Sequence, residues 1–290
     1  MKSRSLKCVL ALSCGLAMAA SIANAATAEK MAKKPFADAD HVIYHPVRGA
    51  VVIAPKAGQN LVNHGGPVIT SAKVVFLFWG PGFSNAASPD FVYAQTLQAY
   101  RNQFGTAPEF NTITQYSGIQ LANLGSGTAD DFDSSTPPTN VTDAIVQSHV
   151  SAYLSTHAFN GSTIYEVVLP SSSYSSSGTS TSCGGPSLSY CAYHGHFSSG
   201  GNDVKYSIEP YPSCGGCQVA GWTAVQNQEH FVCHETREAV TDPDLNAWFD
   251  RAGNEADDKC AWSPTPFLGT GGFAYQYEWS NLTKSCVKTR

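Results

Sequence analysis

The sequence predicts an α/β fold: a single domain with a mixed, mostly parallel sheet, flanking helices and a disulfide-stabilised C-terminal part. Three observations lead there. Two apolar runs, "VVFLFW" at 74–79 and "STIYEVVLP" at 162–170, lack alternation, as expected of strands buried on both faces. Helical periodicity separates them, and strands alternating with helices require crossovers that favour a parallel sheet. Seven cysteines fall between residues 183 and 286, a pattern of chains folding in an oxidising compartment.

The elements follow in chain order. Lys2, Arg4 and Lys7 precede an apolar run at 8–22 and then Ala23-Asn24-Ala25, which describes a secretory signal peptide ending at residue 25. Cys14 offers a lipoprotein alternative, but the apolar run before it is short. No later stretch reaches the roughly 20 apolar residues of a membrane span. Residues 26–65 are expected to be a mobile N-terminal segment or pro-segment, with one weak hairpin around "HVIYHPVRGAVVIAP", and 66–290 to be the domain. After the first buried strand come a helix at 90–104, a strand at 110–116 and the loop "GSGTADDFDSSTPPTN". Thr142 and Asp143 can cap a helix to about residue 156. Beyond the second buried strand and a Ser-rich loop, strands are expected around "YCAYHGHF" and "VKYSIEPY". A long helix at 222–241, stopped by Pro243, and a final strand "GFAYQYEWS" complete the prediction.

Composition narrows the function. Removing residues 1–25 takes three basic residues and no acids, so the net charge of −5 becomes −8 over 265 residues. Such a chain has no electrostatic reason to bind nucleic acid or an anionic membrane. The expected setting is secreted, extracellular or periplasmic. Cysteine clustering suggests Cys183–Cys191, Cys214–Cys217 and Cys260–Cys286, with Cys233 free. A zinc site built from Cys183, Cys191, Cys214 and Cys217 is the alternative use of the first four.

The stretch "HFVCHETREAVTDPDLNAWFD" at 230–250 carries the chemistry. At about 100° per residue, Val225, Val232 and Ala239 form an apolar stripe, with Val240 beside it. Asn227, His230, His234, Glu238 and Thr241 form a polar row nearly opposite, in which i, i+4 spacing lets His230, His234 and Glu238 reach one ion. Glu235 stands where H-E-x-x-H metalloproteases keep the glutamate that takes a proton from the attacking water, although Glu238 replaces the second histidine here. The plain alternative is the solvated side of a surface helix.

Downstream wording adds a resemblance. "HETREAVTDPDLNAWFD", "NEADDKC" and "YQYEWSNLTKSC" resemble the C-terminal half of the phosphate-induced, exordium-like family of secreted proteins. The similar positions are His234, Glu235, Glu238, Asn246, Ala247, Trp248, Phe249, Glu255, Asp258, Cys260, Gln276, Trp279 and Cys286, with Cys191 and His194 of "CAYH" upstream. His230 is not part of that pattern. The resemblance implies an extracellular protein linked to growth and the cell wall, and supplies no reaction. With it, the helix looks like a zincin-like active-site helix: zinc on His234, Glu238 and Asp258, with Glu255 or His194 as substitutes for the third ligand and Glu235 as catalytic base. A Cys260–Cys286 bridge would hold the Glu255–Asp258 segment in place.

Calcium is a second possible cofactor, through the acids of "GTADDFD" or "DRAGNEADD", though neither has EF-hand spacing. No G-x-S-x-G motif or phosphate-cradling glycine loop is present. The sequons at Asn140, Asn160 and Asn281 matter only in a eukaryotic secretory route. Two functions therefore stand: a secreted zinc-dependent hydrolase acting on protein or peptide, and a non-enzymatic exordium-like protein binding cell-wall polysaccharide or other glycan. The second rests on tryptophans expected to be exposed, namely Trp222, Trp248, Trp262 and Trp279, together with many tyrosines.

Overall fold

The computed structural model describes residues 42–50 and 59–290. The expected leader at 1–25 and the remainder of 26–41 lie outside the described residues, as do 51–58. Six strands form the main sheet: β1 (Val42–Pro46), β2 (Lys73–Trp79), β3 (Asp131–Asp133), β4 (Thr163–Val168), β5 (Tyr190–Ser199) and β6 (Asn202–Glu209). Their order is β1-β5-β6-β4-β2-β3. β6, β4, β2 and β3 pair in parallel, and β5 runs antiparallel to both neighbours. The sheet is thus mixed and mostly parallel.

Alternation along the strands sorts side chains between two helical layers. In β2, Val74, Phe76 and Phe78 join a core with Ala94, Leu97, Tyr100 and Phe104 of α1 (Pro89–Phe104) and Val232 and Val240 of α3 (Ala224–Thr241). Val75 and Leu77 point the other way, toward Val146 and Val150 of α2 (Asp143–Leu154). This two-sided cover is why "VVFLFW" is apolar throughout. Ser88 caps α1 and Thr142 caps α2, each hydroxyl accepting a backbone N–H of its helix.

The same alternation puts polar residues under α3. In β1, Val42 and Tyr44 belong to the α2 side, which turns His45 toward α3. In β5, Tyr193 belongs to the α2 side and His194 faces α3. In β4 and β6, Glu166 and Glu209 accept hydrogen bonds from Thr236 Oγ1 at 2.7 Å and Gln228 Nε2 at 2.7 Å on α3.

Several expectations need correcting. Phe110–Gln115 is a 3-10 helix, not a strand; Phe110 and Ile113, three residues apart, both enter the α1/α3 core. Val42–Pro46 is a buried strand of the main sheet, paired with β5, and the second arm of the expected hairpin lies outside the described residues. The C-terminal strand is two short pieces, Ala274–Tyr275 and Glu278–Ser280, paired with different partners. Cys183 pairs with Cys214 and Cys191 with Cys217, while Cys260–Cys286 is as expected and Cys233 is free and buried. The tight turn Gly215–Cys217 lies against the start of β5, so Cys217 in it and Cys214 just before it meet different segments instead of each other. With all four thiols oxidised, the four-cysteine zinc alternative falls. Among the described residues no helix is long and apolar enough to cross a membrane.

Candidate metal centre

α3 is not a surface helix. Thr223 and Gln226 form a capping box at its start, and every residue from Asn227 to Thr241 is buried. The sheet lies on one side, α1 on another, and the segment after the helix closes the rest. The polar row predicted from periodicity is therefore desolvated, and each member must be satisfied by a neighbour or an ion.

The first neighbour is the segment 250–260. Asp250 accepts the amides of Ala252 and Asn254 and pairs with Lys259 Nζ at 2.7 Å, closing a tight loop. A 3-10 turn, Asp258–Cys260, follows and is tied by the Cys260–Cys286 disulfide to the strand Ser285–Val287, which pairs with Glu278–Ser280. Arg237 fixes this segment to the helix: its guanidinium pairs with Asp257, and its Nε lies 2.7 Å from Glu278 Oε2. The Asp258 backbone N–H then donates to Glu238 Oε1 at 2.9 Å.

The second neighbour is Gln276. Its amide nitrogen donates to the Asp257 carbonyl at 2.7 Å and to Asp257 Oδ1 at 3.1 Å, so its oxygen must face the helix. That Oε1 lies 3.2 Å from His234 Nδ1 and 3.0 Å from His230 Nε2. Because a carbonyl oxygen only accepts, His234 Nδ1 carries the proton and Nε2 presents a lone pair. Nε2 is 3.1 Å from Glu238 Oε2 and 3.9 Å from Asp258 Oδ1. Neither Nε2 nor Glu238 Oε2 is aligned for a hydrogen bond, although both are buried. Two lone-pair atoms facing each other at this distance repel unless a proton or cation lies between them.

The expected ligands thus come together: one ligand atom each from His234, Glu238 and Asp258 lies within 4.8 Å of the others. Ligands 2.0–2.1 Å from a tetrahedral ion stand about 3.4 Å apart, between the two distances measured from His234. The donor set, imidazole plus carboxylate with no sulfur, suits zinc and other first-row divalent ions. A proton-carrying Nδ1 held by a carbonyl is the usual outer support of a metal-binding imidazole. The residues fit a divalent metal.

Glu235 and His194 occupy the adjoining space. Glu235 Oε2 is 3.1 Å from His194 Nδ1, and Glu235 Oε1 is buried without a hydrogen bond. His194 Nε2 lies 3.5 Å from Glu255 Oε2. Thus His194 and Glu255 border the Glu235 side of Glu238, with His194 Nδ1 3.7 Å from Glu238 Oε2. Burial, then the neighbouring carboxylates, pushes the Glu235 and Glu238 carboxyls well above the usual range. Burial, then His45, holds His234 well below the usual imidazole value.

His230 stays off the ligand set. It shares Gln276 Oε1 with His234 and lies 3.3 Å from His45 Nε2, and burial lowers its pKa to about 3. Sequence reasoning missed His45, whose ring stacks on His234 with centroids 4.1 Å apart. The alternation Val42, Tyr44 against Ile43, His45 was the available signal. It also missed the Arg237–Asp257–Glu278 clamp, which lies in the same quoted stretches. The tryptophans offered as exposed are not: Trp279 is buried, and Trp222, Trp248 and Trp262 are half-buried. No tyrosine of the described residues is exposed either. In the calcium candidates, Asp130 is paired with Arg101 and Asp250 with Lys259, so protein cations occupy those carboxylates. No family model, curated protein or solved structure matches the chain.

Proposed function

We propose that this is an exported, metal-dependent hydrolase of peptidase-like chemistry, with zinc or a related divalent ion held by His234, Glu238 and Asp258. The observation carrying the reading is the convergence of His234 Nε2, Glu238 Oε2 and Asp258 Oδ1 beside an uncommitted carboxylate oxygen of Glu235. When bound, such an ion supplies Lewis acidity and a water acidic enough to attack a carbonyl near neutral pH. Glu235 Oε1 accepts the proton, and its Oε2 lies 3.1 Å from His194 Nδ1. Gln276 holds the tautomer of His234. The resemblance to exordium-like proteins supports an extracellular setting, and three disulfides are compatible with it.

One observation favours a second reading. His234, Glu235, Glu238, Glu255 and His194 are 0% exposed and Asp258 is 3% exposed, as in structural metal sites and buried polar clamps. On that reading the centre fastens α3 to the disulfide-bound tail of a non-enzymatic, glycan-associated protein. Metal analysis and turnover of a fluorogenic peptide library by the parent and Glu235→Gln separate the two. The hydrolase predicts bound metal in both proteins and turnover only in the parent. Turnover unchanged by the substitution, or a protein without metal, defeats it. Metal without turnover in either protein favours the structural role.

A further inference from the structure

Glu238 belongs to two ligand groups. Beside the His234–Glu238–Asp258 set, one ligand atom each from His194, Glu235 and Glu238 also lies within 4.8 Å of the others, and all three side chains are buried. The two sets draw on different elements around α3. The first uses the helix and the 3-10 turn that follows it; the second uses the helix and β5, the strand next to the β1 edge of the sheet. Glu238 Oε2 is the shared atom, 3.1 Å from His234 Nε2 and 3.7 Å from His194 Nδ1. Its other oxygen is taken by the Asp258 amide, and Oε2 itself has no hydrogen bond.

From this we infer a binuclear centre: a second divalent ion held by His194 Nδ1, Glu235 Oε2 and Glu238 Oε2, with Glu238 bridging the two ions. The inference rests on the metal reading above and extends it. In the second set the measured distances from His194 Nδ1, 3.1 Å to Glu235 Oε2 and 3.7 Å to Glu238 Oε2, again bracket the roughly 3.4 Å of neighbouring tetrahedral ligands. Glu255 Oε2 lies 3.5 Å from His194 Nε2, a second carboxylate beside the same imidazole. Glu235 binds through Oε2 and keeps Oε1, the atom without a hydrogen bond, as proton acceptor. The formal charge of Glu235, Glu238, Glu255 and Asp258 is matched by two divalent ions. The nearby cations Arg237 and Lys259 serve Asp257, Glu278 and Asp250 instead. Carboxylate-bridged pairs of this kind bind both oxygens of a displacement at a carbonyl or phosphoryl centre.

The test is the metal stoichiometry of the purified full chain, stripped with chelator and reloaded separately with zinc and manganese. Two ions per chain are expected for the parent, one for His194→Ala and one for His234→Ala. Manganese adds a readout independent of the variants: a bridged pair gives an exchange-coupled paramagnetic resonance spectrum instead of the six lines of isolated ions. One ion per parent chain, with the six-line spectrum and no change in His194→Ala, overturns the second site and leaves the first standing. No ion at all overturns both. Should His194→Ala fail to fold, the parent's stoichiometry and manganese spectrum decide.

Discussion

Replacing Arg237 with Met tests the clamp that positions the candidate centre. The guanidinium is fully buried, pairs with Asp257, sits 2.7 Å from Glu278 and reaches the carbonyls of Gln276 at 3.3 Å and Glu109 at 3.4 Å. Methionine fills much of the volume but removes the cation that pairs with both Asp257 and Glu278, leaving two desolvated carboxyls. Breaking a buried pair by deleting one partner costs about 3–5 kcal/mol. The cost depends on pH, and the sign follows from linkage. Burial already raises the Asp257 carboxyl to about 6 despite Arg237, and the substitution raises it further. The native variant therefore holds protons that the unfolded chain has released, so its stability falls as pH rises above the unfolded carboxyl range. The expected loss relative to the parent is about 3–5 kcal/mol at pH 8, shrinking by roughly 2 kcal/mol at pH 5. Urea unfolding followed by tryptophan fluorescence, with disulfides intact and the slope compared between proteins, measures both. A loss below about 1 kcal/mol at both pH values would refute the clamp.

Three other outcomes follow from single contacts. Gln276→Leu removes the acceptor that fixes the His234 tautomer, and zinc affinity by competition with a chelating dye should fall about 10–100-fold. An unchanged affinity would mean that His234 is not a ligand. Glu229, raised by burial to about 7, is more readily protonated folded than unfolded, so the stability it contributes at low pH is lost between about 4.5 and 7. Glu229→Gln keeps an acceptor for the Ala274 amide and should flatten this dependence, gaining at most roughly 3 kcal/mol over the parent at pH 8. Denaturation midpoints at pH 5 and pH 8 check it; a variant with the parent's pH dependence is the adverse result. Finally, Cys260→Ala with Cys286→Ala opens a loop of sequence separation 26 and should cost about 3.5 kcal/mol in the loop-entropy treatment. It should also weaken metal binding, because Asp258 is two residues from the bridge; stability loss with unchanged affinity would detach the bridge from the site.

Much of this arrangement was legible in short-range pattern. The run Val74–Trp79 and the Thr142 cap announced their elements, and i, i+4 spacing put His234 and Glu238 on one row. The link from Asp258 back to that row came through a resemblance and the Cys260–Cys286 bridge, and the structure brings all three residues together. What failed had long-range causes. α3 reads as amphipathic, yet its polar row is buried because the segment 250–280, far along the chain, covers it with its own acids and Gln276. His45 reaches the site only because β1 pairs with β5, about 150 residues later, a contact no local period encodes. The segment Phe110–Gln115 carries β-favouring residues, but packing of Phe110 and Ile113 against α1 and α3 overrides that preference. Nearest-neighbour pairing of the cysteines failed for the same reason, since the turn at Gly215–Cys217 is placed by the sheet rather than by its own sequence.

Anomalous diffraction at the zinc edge, from crystals of the zinc-loaded protein, tests the metal centre most directly. The account predicts a peak about 2.0–2.2 Å from His234 Nε2, Glu238 Oε2 and Asp258 Oδ1. Zinc bound elsewhere, or a loaded crystal with no peak between α3 and the 3-10 turn at Asp258–Cys260, would contradict it.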